Sequence, residues 1–104
     1  ECKIHVFDVT DDGLLANGRV FAETVGDGDG RPDGMKIDSE GNLYCTAQGG
    51  LHVFKADGTF LGRLRVPMQI TNFTWGDADL CSIYMTGVTT LYRARTTIPG
   101  KPLF

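Results

Sequence analysis

Short strand-like segments recur along this chain at a nearly constant spacing, and this repeat constrains the fold more than any other feature. The segment Ile4–Phe7 (IHVF) matches Leu51–Phe54 (LHVF) at an offset of 47 residues. Asn42–Thr46 matches Ser82–Thr86 at an offset of 40 residues. These segments alternate apolar and polar residues with the period of a β-strand, and no window of useful length keeps a helical period. Four short strands in about 40 to 50 residues are typical of one blade of a β-propeller.

The alternation predicts an all-β chain of nine strands, separated by turns rich in glycine and aspartate. Residues 33–66 supply one whole blade, between the outer two strands of the preceding blade and the inner three of the next. Because a ring typically needs four to eight blades, we expect residues 1–104 to be the C-terminal part of one larger propeller domain. The predicted strands are Lys3–Val9, Gly18–Glu23, Asp33–Asp38, Asn42–Gln48, Leu51–Ala56, Phe60–Val66, Ile70–Trp75, Cys81–Thr86 and Thr89–Arg95.

Charge and cysteine content argue against several classes of partner and site. The net charge of −3 gives no basic footprint, so we expect neither nucleic acid nor a membrane as a partner. No apolar run reaches the roughly 18 residues that a membrane-spanning helix needs. The three cysteines lack the spacing of a metal knuckle or a disulfide framework, and Cys45 is expected to be a small buried apolar residue. This favours a reducing compartment and a cytoplasmic protein, with a periplasmic or secreted parent as the alternative.

The candidate site lies in Arg31–Met35 (RPDGM), which is followed closely by Gly41–Tyr44 (GNLY). Asp33 is expected at the mouth of a strand, where loops carry chemistry on a rigid scaffold. An Asp before a Gly also fits a plain Asx turn, so the residue type alone leaves both roles open. Asn72 is the repeat counterpart of Asp33, at an offset of 39 residues. It is a candidate for lining the same channel, where it would bind substrate or orient the ligands. Gln48 follows a strand that returns to the mouth side, where it would contact substrate or form part of a simple turn.

With Ile70–Gly76 (ITNFTWG), these segments resemble the C-terminal third of the SMP-30/gluconolactonase family. The resemblance implies a six-bladed propeller that holds one divalent cation in its central channel and hydrolyses a small-molecule lactone, typically a sugar lactone. It gives Asp33 two roles, as metal ligand and as general base. Calcium is the expected cation, with zinc, magnesium or manganese as alternatives. The family's other metal ligands, a Glu and an Asn, have no counterpart in this chain, so we expect it to be inactive without the missing blades. The alternative function is a non-catalytic binding propeller.

The remaining polar residues are interpreted as structural. His5 and His52 occupy the same position in two repeats, so we expect them to pack on strand faces. Arg63 and Arg65 are expected on a solvated outer strand. The glycine-rich loop at residues 26–30 lacks the helix that would make it a phosphate-binding loop, so it is expected to connect two blades on the mouth side.

Overall fold

The structure is a computed structural model that describes residues 2–102. Its regular secondary structure is entirely β-strand, and no helix within these residues could cross a membrane. The nine predicted strands are all present. They are β1 (Lys3–Val9), β2 (Leu15–Glu23), β3 (Met35–Ile37), β4 (Leu43–Ala47), β5 (Gly50–Phe54), β6 (Phe60–Arg65), β7 (Ile70–Gly76), β8 (Ser82–Gly87) and β9 (Leu91–Arg95).

The strands form three antiparallel sheets. The first contains β1 and β2, the second has the order β3-β4-β5-β6, and the third has the order β7-β8-β9. Every neighbouring pair is consecutive in the chain, as expected for up-and-down blades. The prediction of one complete blade between two partial ones is therefore confirmed.

Eight of the nine strands differ from their predicted bounds, by one to three residues at one or both ends, and two of these differences have a clear local reason. β2 begins at Leu15 instead of Gly18, because two register shifts against β1 carry the pairing out to Val9. β3 begins at Met35 instead of Asp33. The N–H of Gly34 donates to the side-chain hydroxyl of Thr46, so the regular backbone pairing of β3 with β4 starts at Met35.

Apolar side chains pack between neighbouring sheets. Tyr44 of β4 meets Trp75 of β7 edge to face, with ring centroids 4.9 Å apart. Phe73 and Trp75 thus pack between blades, as predicted. A smaller cluster joins the first two sheets, and in it the Cys45 side chain is completely buried, which confirms its predicted role. The larger cluster consists of Leu51, Ile70, Phe73, Trp75, Ile83 and Met85.

The segment after β9 ties the second sheet to the third at the end of the inner strands away from Asp33. The N–H of Ser39 donates to the carbonyl of Pro99 at 3.0 Å, and the N–H of Gly100 donates to the carbonyl of Leu80 at 2.8 Å. Gly100 packs so closely on Trp75 that a Cβ atom there would lie 2.3 Å from the indole. These contacts therefore fix the position of the two inner strands, β3 and β7, relative to each other at the end away from Asp33.

Candidate active site

Asp33 lies just before β3, the innermost strand of the complete blade, and is exposed to solvent. The residue after it is held at two points. The N–H of Gly34 donates to Thr46 Oγ1 at 3.0 Å, and the N–H of Thr46 donates to the carbonyl of Gly34 at 2.9 Å. An exposed carboxylate therefore stands on a backbone that is fixed by the neighbouring strand.

The third sheet contributes Asn72 to the same place. A Cβ atom at Gly34 would lie 2.7 Å from Asn72 Oδ1 and 3.0 Å from the carbonyl oxygen of Thr71. Asn72 Oδ1 also accepts a hydrogen bond from the N–H of Phe73 at 2.9 Å, which orients the amide. The structure thus brings Asn72 beside Gly34, one residue from Asp33, where the inner strands of two blades meet.

Cys45 lies next to Asp33, and its thiol is not a nucleophile. Burial raises the pKa of its thiol to about 11, and the nearby Asp33 carboxylate acts in the same direction. The thiol stays protonated near neutral pH, so it is unsuited to metal ligation, which requires the thiolate. Cys45 is therefore a buried apolar residue next to the segment that carries Asp33.

Gln48 lies on the mouth side, but its side chain points towards the first sheet. Its amide NH₂ group donates to Cys2 Sγ at 2.9 Å, and its Oε1 atom is buried without a hydrogen-bond partner. Its backbone carbonyl accepts from Arg63 Nη1 and from His52 Nε2, each at 3.0 Å. Substrate contact by Gln48 stays a prediction. Arg63 is half-buried and binds this carbonyl, so the expectation that it is simply solvated is wrong.

The two histidines and the glycine-rich loop remain outside the candidate site. His52 is buried beside the rings of Phe54 and Phe60, and burial lowers the pKa of its imidazole. His5 is exposed on β1. The loop at residues 26–30 rests on the turn after β4, where Asp29 accepts a backbone hydrogen bond from Gly49 at 3.1 Å. It connects the first sheet to the second, as predicted.

The oxygen donors at the mouth partly fit the divalent cation that the sequence resemblance implies. Asp33 offers a carboxylate, and Asn72 offers an amide oxygen beside it, which is the ligand type that hard cations prefer. No three His, Cys, Asp or Glu side chains within residues 2–102 are close enough to hold a metal ion. Asp33 therefore fits as one ligand of an incomplete set.

A cavity of about 670 Å³ lies between β3 and β7, away from Asp33, and its cationic side chains are Lys36 and Lys101. Two ammonium groups repel a metal cation, so the ligand chemistry favours the Asp33 end over this cavity as the place for a cation.

Reasoning from the sequence overlooked Thr46. The repeat aligns Thr46 with Thr86, which marked both as strand positions, but it gave no indication that one hydroxyl would bind Gly34. Asp38 is the opposite case, a buried carboxylate with a purely structural role. It accepts the N–H groups of Glu40 and Asn42 at 2.9 and 3.0 Å and closes the turn after β3.

Comparison with known proteins agrees with this fold. The family model described as the SMP-30/Gluconolactonase/LRE-like region matches residues 1–89. Pentonolactonase XacC of Haloferax volcanii is 45% identical over 60 residues, which are 55% of this chain and 21% of the relative. A gluconolactonase of Zymomonas mobilis is 54% identical over 33 residues, covering 32% of this chain and 9% of the relative.

A solved structure shows the same arrangement of strands. XC5397, a gluconolactonase from Xanthomonas campestris, superposes with a TM-score of 0.78 at 33% identity, over 93% of this chain and 30% of that protein. The chain thus spans about a fifth of the length of the pentonolactonase and under a third of that gluconolactonase.

Proposed function

Because the chain belongs to the SMP-30/gluconolactonase/LRE-like family, we propose that the complete protein hydrolyses a sugar lactone to its aldonic acid. Relatives named pentonolactonase and gluconolactonase support this reaction class. The observation that carries the proposal is Asp33, an exposed carboxylate on a backbone fixed between the inner strands of two blades. A fixed acidic group at such a position suits both metal binding and proton transfer.

Asp33 would serve the reaction in two ways. It would hold a divalent cation, which when bound polarises the lactone carbonyl and stabilises negative charge on its oxygen. Its carboxylate would also take a proton from the attacking water as the water oxygen bonds to the carbonyl carbon. The bond between that carbon and the ring oxygen then breaks. The ring oxygen takes up a proton and becomes the hydroxyl of the aldonic acid.

We propose calcium as the cation, with zinc, magnesium and manganese as alternatives. Calcium takes six to eight oxygen ligands in flexible geometry, and the donors near Asp33 are oxygens. The Cys45 thiol, protonated at neutral pH, offers no competing soft ligand. Gln48 is proposed as a substrate contact at the rim. A cytoplasmic location and the absence of nucleic-acid and membrane partners stay predictions.

Further blades of the same protein would complete the site. Met35 and Ile37 on the innermost strand are each 48% exposed. With Ile4 and Leu43 they line an apolar cavity of about 310 Å³ beside the first sheet. This is where the inner strands of the preceding blade would pack. Because Asp33 is the one carboxylate within residues 2–102 that we assign as a metal ligand, we propose that the chain is inactive without those blades.

The test is lactone hydrolysis by the complete protein. Proton release from D-glucono-1,5-lactone and from pentonolactones should be catalysed, abolished by a chelator, and restored by adding calcium. Catalysis that is indifferent to chelation would refute the role of the metal. A folded protein that binds the sugar without hydrolysing any lactone would favour the non-catalytic binding propeller.

A further inference from the structure

We propose that Thr46 is a positioning residue that holds in place, through Gly34, the backbone that carries the Asp33 carboxylate. The inference rests on the proposed function, since it assigns Thr46 to the same site. Thr46 contacts neither substrate nor cation in this account. It acts through the backbone of the residue that follows Asp33.

Two hydrogen bonds restrain the two peptide groups that flank the Gly34 Cα atom. Thr46 Oγ1 accepts the N–H of Gly34 at 3.0 Å, and the N–H of Thr46 donates to the carbonyl of Gly34 at 2.9 Å. The Gly34 N–H belongs to the peptide bond between Asp33 and Gly34. Because a peptide bond is planar, fixing this group also fixes the position of the Asp33 Cα atom, from which the carboxylate side chain extends.

The surroundings make Thr46 a rigid anchor. Thr46 is completely buried in β4, an inner strand of the four-stranded sheet, where it pairs with Leu51 of β5. A buried hydroxyl is costly unless it is hydrogen-bonded, and this one bonds the segment that carries Asp33. On the other side Gly34 abuts Asn72, so the segment has little room to move.

The repeat alone does not explain this contact. Thr86, the counterpart of Thr46, is exposed, and its hydroxyl donates to the carbonyl oxygen of Asn72 at 3.1 Å. Thr46 instead accepts a hydrogen bond and is buried. The same repeat position therefore serves a different contact in each blade. A matched control is Thr10, whose hydroxyl also accepts a backbone N–H, that of Leu14 at 3.1 Å, in the exposed turn between β1 and β2.

The experiment compares four variants of the complete protein: Thr46→Val, Thr46→Ala, Thr46→Ser and Thr10→Val. Loss of a group that orients a metal ligand typically reduces metal affinity or activity about 10- to 100-fold. We expect this loss in Thr46→Val, measured as calcium affinity by calorimetry and as kcat for lactone hydrolysis. Thr46→Ser keeps the hydroxyl and should restore most of both, while Thr10→Val should match the wild type. If Thr46→Val fails to fold, Thr46→Ala carries the same expectation.

Amide hydrogen exchange at Gly34 provides a readout that does not depend on the reaction. We expect faster exchange in Thr46→Val and Thr46→Ala than in the wild type and Thr46→Ser. Calcium affinity and kcat at the wild-type level in the folded variants without the hydroxyl would overturn the positioning role. So would equal losses in Thr46→Ser and Thr46→Val, because packing would then explain them. Asp33→Asn separates the two proposals: if it abolishes hydrolysis while Thr46→Val does not weaken it, only the positioning role fails. Hydrolysis left intact in Asp33→Asn would remove the role proposed for Asp33, and the positioning role with it.

Discussion

Replacing Gly34 by alanine probes the contact between the two inner strands most sharply. Gly34 does not occupy the left-handed backbone region, so the substitution tests space and not backbone strain. The added Cβ atom would lie 2.7 Å from Asn72 Oδ1, 3.0 Å from the carbonyl oxygen of Thr71 and 3.1 Å from the Asn72 Cα atom. Two of these three atoms belong to the backbone and cannot rotate away.

The expected cost follows from these distances. Ordinary van der Waals contact begins at 3.4 Å, so the Asn72 side-chain oxygen must move by about 0.7 Å (3.4 − 2.7) and the β7 backbone at the Thr71 carbonyl by about 0.4 Å (3.4 − 3.0). Overpacking of this kind costs about 1–3 kcal/mol, and the lower entropy of alanine in the unfolded chain offsets about 0.4–1 kcal/mol. We expect the free energy of unfolding of the complete protein to fall by about 1–2 kcal/mol.

Urea unfolding of a double-mutant cycle tests this reasoning. Asn72→Ala removes the closest contact atom, so Gly34→Ala should cost less in that background than in the wild type. Residues in direct contact typically show coupling energies of about 0.5–3 kcal/mol. Effects that add within about 0.3–0.5 kcal/mol would refute the close approach of Gly34 and Asn72. A fully stable Gly34→Ala single variant would refute it as well.

Two further predictions concern His52 and Gln48. Burial lowers the pKa of His52 in the folded state, so the unfolded state binds more protons as pH falls below the ordinary value of 6.5. The free energy of unfolding should therefore decrease below pH 6.5, and His52→Gln should flatten that decrease in pH-dependent urea titrations; an unchanged slope would contradict it. If Gln48 borders the substrate, Gln48→Ala should raise KM and largely spare kcat, as loss of uniform binding does. Steady-state kinetics that show an unchanged KM would assign Gln48 to the turn alone.

The strands were predictable because each one shows as a short alternation of apolar and polar residues in the sequence. The match between Ile4–Phe7 and Leu51–Phe54 identifies two equivalent strands without any knowledge of tertiary contacts. The turns between them carry glycine and aspartate for local conformational reasons. The grouping into sheets of two, four and three strands followed from the repeat length, since each blade uses four consecutive strands.

Contacts between blades were not predictable in the same way. Gly34 of the second sheet meets Asn72 of the third, and the N–H of Ser39 after β3 donates to the carbonyl of Pro99 after β9. Such pairs depend on how far one sheet is rotated against the next, which alternation within a strand does not encode. The burial of Thr46 likewise arises from the sheets that cover β4. Asp33 was recognisable from its motif, whereas the groups that hold it in place were visible only in three dimensions.

The most direct test of the central claim is Asp33→Asn in the complete protein. The substitution keeps the shape of an exposed side chain, so the free energy of unfolding should stay at the wild-type value. General-base catalysis typically contributes about 10²–10⁴-fold, and we expect kcat for lactone hydrolysis to fall by at least about 100-fold, with weaker calcium binding. Asp29→Asn, which alters another exposed carboxylate on the mouth side, should retain activity. Wild-type hydrolysis by a well-folded Asp33→Asn protein would contradict the account.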